Sequence, residues 1–119
     1  MTKEIDLSEI EDFIKALHCD VRWVIIDILK NGEKSSDEIY SFLKEYEEEI
    51  KNRKNQNCKG VCLRGKGRDI QKPTLWYHLR ELESVGIIEV AKTKPSEHGR
   101  APEKVWKLNI EKLTINFTK

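Results

Sequence analysis

The sequence predicts a mainly α domain closed by a small antiparallel β-hairpin, and three observations carry that expectation. Apolar residues recur at helical spacing three times within the first fifty positions. A fourth segment opens on Pro73 and stops at Gly86, the order in which these two residues bound a helix. Two short apolar stretches then flank a turn containing Pro and Gly, as in a hairpin.

Taken in order, Ile10, Phe13, Ile14 and Leu17 fall at i, i+3, i+4 and i+7, one stripe of a helix. Ser8 and Glu11 have capping-box spacing at its start. A second helix begins near Asp20, a good N-cap, and carries Val21, Val24, Ile25, Ile28 and Leu29 on one face. It stops at Asn31-Gly32, where glycine accepts a left-handed cap. Ser35 and Glu38 form a second capping box, followed by Ile39, Phe42, Leu43 and Tyr46, with the helix running on to about Ile50. Three amphipathic helices on short turns must pack together to hide their stripes.

From about 45 to 71 the rhythm breaks, and the segment reads as an inserted basic loop. Lys51 to Lys72 holds eight Lys/Arg against the single acid Asp69, with glycines at 60, 65 and 67. Arg64, Lys66 and Arg68 make it a candidate phosphate-contacting arm, because lysines and arginines bind polyanions by displacing counterions.

The helix from Lys72 to Gly86 has a narrow apolar stripe of Leu75, Leu79, Leu82 and Val85. Its opposite face is expected to show Thr74, Trp76, Tyr77, His78, Arg80 and Glu81, where an ordinary surface helix would carry Lys and Glu. Ile87 to Val90 reads as a strand, and Val105 to Ile110 returns as a second one. The turn between them carries five basic residues, counting His98. A helix, a strand, a basic loop over about 87–110 and a returning strand are the order of a recognition helix followed by a wing.

Composition bounds the rest. At 119 residues, with 38% apolar and 36% charged side chains, the chain fits one domain with a modest core. Its apolar runs are too short for a membrane span, and Met1-Thr2-Lys3-Glu4 does not open a secretory signal. Three cysteines are not a disulfide framework, so a reducing, cytoplasmic setting is expected. The net charge of +1 conceals a division. Residues 1–50 carry 6 Lys/Arg against 14 Asp/Glu, whereas residues 51–107 carry 14 against 6. A basic half suits a polyanion, with the acidic half turned away from it.

These residues carry a resemblance. Ala16-Leu17 through Gly32 looks like the opening helix of ArsR-type regulators, and Ser35 to Leu43 like the first helix of their helix-turn-helix. Pro73-Thr74 through Ile87-Ile88 resembles their recognition helix and first wing strand. Gly99-Arg100-Ala101-Pro102 with Val105-Trp106-Lys107-Leu108 is similar to the wing tip and returning strand of these and of PadR-like regulators. The resemblance implies a winged helix-turn-helix and a homodimeric transcriptional regulator on double-stranded DNA. Dimerisation would run mainly through the N-terminal helix and, in some members, a C-terminal element. Two features depart from the pattern: about 27 residues replace the short turn between the two helices, and Ser35 to Leu43 lacks the Cys-x-Cys pair of the metal-sensing members.

A recognition helix meets base edges with its first two turns, while flanking cations hold phosphates. Lys72, Thr74 and Tyr77, with Trp76 or His78, are therefore the expected base or near-backbone contacts, and Arg80 a phosphate contact. Lys92, Lys94, His98 and Arg100 would reach the flanking groove or backbone. The plainer alternatives half-bury Trp76 against the insertion, leave His78 bonded to a neighbour on the helix surface and make the wing cations solubilisers. Cys58 and Cys62, four apart in a basic loop, suit metal or redox chemistry or are simply unligated. A closed zinc site needs four ligands, and only His18, Cys19, His78 or His98 could complete it. No catalytic constellation or phosphate loop is present, so neither an enzyme nor a cofactor is expected. The competing reading is a winged-helix module that binds protein within a transcription or repair complex. Ile10, Phe13, Ile14 and Leu17, or Leu113, Ile115 and Phe117, are the two candidate dimer surfaces, unless they pack within one chain.

Overall fold

Asp6, rather than the expected Ser8–Glu11 box, organises the first turn of the chain. A computed structural model describes residues 2–18, 20–51, 71–95 and 102–118, and in it Ser8 donates both its backbone N–H and its hydroxyl to Asp6 Oδ1. Helix α1 (Ile10–Leu17) therefore starts at Glu9 with no side-chain cap. Before it lies a strand the periodicity did not suggest, β1 (Thr2–Asp6).

Helix α2 (Asp20–Leu29) buries all five residues of its expected stripe and ends before Gly32, whose φ of +124° lies where an L side chain is strained. The second capping box forms as read. Ser35 N–H donates to Glu38 Oε1 at 3.0 Å, and Glu38 N–H donates to Ser35 Oγ at 3.2 Å. It opens α3 (Ser36–Lys51), which buries Ile39 and Leu43 but leaves Phe42 and Tyr46 more than a third exposed. Residues 45–51 are thus helical, residue 71 caps the next helix, and 52–70 of the basic insertion lie outside the described residues.

Helix α4 (Lys72–Ser84) carries Pro73 in its first turn and closes on Gly86 at φ +78°. Gly86 N–H donates to Glu83 and Ile87 N–H to Leu82, the pair of bonds that defines a glycine-ended helix. That turn aims the chain directly into β3 (Ile88–Lys94), which pairs antiparallel with β4 (Glu103–Leu108). A short strand, β2 (Lys34–Ser35), joins the other edge of β4, so the hairpin belongs to a three-stranded sheet in the order β2-β4-β3. The described residues form a small α/β domain with more strand than the two-stranded hairpin expected from sequence.

The remaining strand, β5 (Lys112–Asn116), pairs parallel with β1, setting Ile5 beside Ile115 and Lys3 beside Leu113. The C-terminal alternation is thereby used inside the chain. Ile5 and Leu113 face the core, whereas Ile115, Phe117 and Leu7 stay substantially exposed. On α1, Phe13 is buried but Ile14 is not. One core unites all four helices with Ile5, Ile88 and Trp106. No described helix is long and apolar enough to cross a membrane.

Candidate nucleic-acid interface

Helix α4 turns Leu75, Leu79 and Leu82 into the core, and at about 100° per residue its outward face is then fixed. Arg80 lies near the middle of that face. Trp76 and Tyr77 flank it one turn earlier, about 40° to one side and about 60° to the other. Both rings are open to solvent, Trp76 at 59% and Tyr77 at 51%. Lys72 is exposed at the helix start.

Two expected contacts are corrected. His78 is fully buried and Thr74 nearly so, since each sits beside the leucine stripe: His78 is three residues after Leu75 and four before Leu82. Neither can meet a base. His78 Nδ1 instead accepts from Arg22 Nε at 3.0 Å, so Nδ1 is the unprotonated nitrogen. His78 is thus neither a surface residue nor, through Nδ1, available to a metal.

Arg22, itself buried, is the residue the sequence reading missed. Its Nη1 donates to the carbonyls of Lys15 (2.7 Å) and Ala16 (3.2 Å), which lie in the last turn of α1 and have no partner within that helix. A cation there also opposes the negative end of the helix dipole. Its guanidinium carbon lies 5.3 Å from the centre of the Tyr77 ring. One side chain therefore clamps α1, α2 and α4 together beneath the Tyr77 ring. The signal was present in the periodicity: on α2, Arg22 lies about 20° from Leu29, at the edge of the apolar stripe. Trp23 adds a further clasp through its indole N–H on the Leu17 carbonyl.

The hairpin is fastened to α3. Trp106 Nε1 donates to Ser36 Oγ at 3.0 Å, and Asp37 N–H, at the start of α3, donates to Glu103 Oε1 at 2.8 Å. Lys92 and Lys94 do lie on this hairpin, but each has an acidic neighbour. Lys92 pairs with Glu33 (3.8 Å), Lys94 with Glu103 (4.0 Å) and Lys72 with Asp37 (3.6 Å). The Lys72 and Lys92 pairs are exposed and worth under about 1 kcal/mol, so a phosphate can compete for those lysines, whereas Glu103 is largely buried beneath Lys94. Between α3 and the hairpin lies a shallow groove of about 270 Å³ lined by Asp37, Glu38, Glu45, Glu103 and Phe42 with Lys94.

No family model matches this chain, and no curated protein matches it. Among the described residues, no group of three or more His, Cys, Asp or Glu could hold a metal. Arg64, Lys66, Arg68, His98, Arg100, Cys58 and Cys62 lie outside the described residues. The residues brought together within them are Lys72, Trp76, Tyr77 and Arg80 on α4, with Lys92 and Lys94 on the adjoining hairpin.

Proposed function

We propose that this chain is a winged helix-turn-helix of the ArsR or PadR kind, acting as a sequence-specific transcriptional regulator on double-stranded DNA. The observation that carries the reading is α4: its outward face presents Trp76, Tyr77 and Arg80, and Gly86 delivers the chain straight into the hairpin that would serve as the wing. The order of helix, short strand, two helices and two strands, with β2 on the outer edge of β4, supports the winged-helix assignment. In this reading α4 enters the major groove, Lys72 and Arg80 take base or phosphate contacts, and Lys92 and Lys94 reach the flanking backbone. A homodimer would place two copies of α4 on half-sites about one helical turn apart.

A second reading has its own observation. Lys72, Lys92 and Lys94 each have a carboxylate partner, and an acidic groove lies beside them, which favours a winged helix that docks protein. Binding of the full chain to random-sequence duplex DNA across a salt series, followed by enrichment of preferred sites, separates the two. A steep fall of affinity with salt and an enriched inverted repeat are expected for the regulator. Failure to bind any duplex at low salt moves the protein-docking module to first place.

A further inference from the structure

We infer that α4 reads thymine through its methyl group, with Trp76 and Tyr77 as the reading side chains, an inference that rests on the DNA-binding reading above.

Sequence is read in the major groove by a short list of chemistries. Arg or Lys takes guanine, Asn or Gln takes adenine, Asp or Glu takes cytosine, and apolar surface takes the thymine methyl. From Lys72 to Ser84 there is no Asn or Gln. Thr74 and His78, the polar side chains of the first two turns suited to a base edge, are withdrawn into the core. Lys72, exposed at the helix start and weakly paired with Asp37, suits a phosphate or a guanine and not a methyl. Glu81 and Glu83 lie in the last turn, past the part of a recognition helix that meets bases. What the first two turns present is two large rings, more than half exposed, on either side of the position from which Arg80 projects.

One of the rings, Tyr77, is also held in place. Tyr77 sits over the Arg22 guanidinium, and Arg22 is fixed by the carbonyls of Lys15 and Ala16 and by His78, the residue next to Tyr77 in sequence. An aromatic surface positioned from below suits a methyl contact, which has no directional bond of its own to set the geometry. The preferred site therefore has thymines under the start of α4, with Arg80, one turn further on, left to the flanking phosphate or a neighbouring base.

The test takes the duplex that the full chain enriches from a random-sequence pool and synthesises it twice, once with thymine and once with uracil, which lacks only the methyl. Affinity is expected to fall about fourfold for each methyl that α4 buries. Trp76→Ala and Tyr77→Ala, both at exposed helix positions, should bind the two duplexes more nearly alike, with circular dichroism confirming that each variant folds. Equal affinity of the unaltered chain for both duplexes overturns the inference while leaving DNA binding intact. So does an enriched site without thymine, or a thymine preference undiminished in both variants. Failure to bind any duplex overturns the underlying reading instead.

Discussion

Arg22 Nε donates to His78 Nδ1 across 3.0 Å with both side chains buried, and the partners of this guanidinium are an imidazole and two main-chain carbonyls. Removing it takes a donor from the His78 imidazole and from the Ala16 carbonyl, leaves the Lys15 carbonyl to His18 Nδ1, and opens the seam between α1, α2 and α4. Arg22→Ala should lower the unfolding free energy by about 2–4 kcal/mol in urea denaturation. Arg22→Lys should recover little of that, because one ammonium cannot reproduce the planar fork. A loss below about 1 kcal/mol for Arg22→Ala would show that the clamp is not structural.

The Ser35–Glu38 box predicts both a mutational and a pH effect. Ser35→Ala should cost about 1 kcal/mol. The Glu38 carboxyl is held below its ordinary value of 4.5 mainly by the Ser35 backbone N–H, against the opposing effect of burial, with Lys94 and Lys34 adding a little. Its contribution is complete above the ordinary value and is lost as pH falls through the lower value of the folded state. Stability measured down an acid series should therefore decline less steeply in Glu38→Gln than in the parent. Parallel curves would remove Glu38 from the account.

Gly86 has room for a methyl group, since nothing lies within 4 Å of where a Cβ would be, yet its φ of +78° penalises one. Gly86→Ala should cost about 1–2 kcal/mol through backbone conformation alone. A neutral result would mean that the turn between α4 and β3 relaxes freely.

On the DNA-binding reading, the carboxylates that hold Lys72 and Lys92 act as competitors of phosphate. Asp37→Asn and Glu33→Gln should each tighten binding to duplex DNA at low salt, several-fold at most given the small worth of exposed pairs. The gain should fade as salt screens the charges. Weaker binding in both variants would assign those carboxylates a supporting role.

Much of this arrangement is written in local sequence signals. The stripes of α2 and α4, the Ser35–Glu38 box and the Gly86 stop each depend on residues within a few positions of one another, and each formed as read. Strand β1 was invisible because Thr2 to Asp6 has one apolar residue and its partner lies at the other end of the chain. Strand β2 is two residues long, too short to carry a period. At the candidate interface the leucine stripe leaves Tyr77 and Arg80 outward as expected and decides the open case of Trp76 in favour of exposure, whereas Thr74 and His78, expected on that face, are buried. Their polarity points outward, but a position beside the leucine stripe buries them. Arg22 was missed for the same reason, because a charge is expected in water until three acceptors are found waiting for it.

The parallel pairing of β1 with β5 constrains how the molecule comes to be folded. Ile5 belongs to the core, but its strand is completed only by residues 112–116. Closing a loop on the order of 100 residues costs about 4 kcal/mol in chain entropy before the pairing returns anything. The helices and the hairpin, built on nearer contacts, can assemble sooner. During synthesis the first strand must wait, its isoleucine unseated, until the partner strand has left the ribosome.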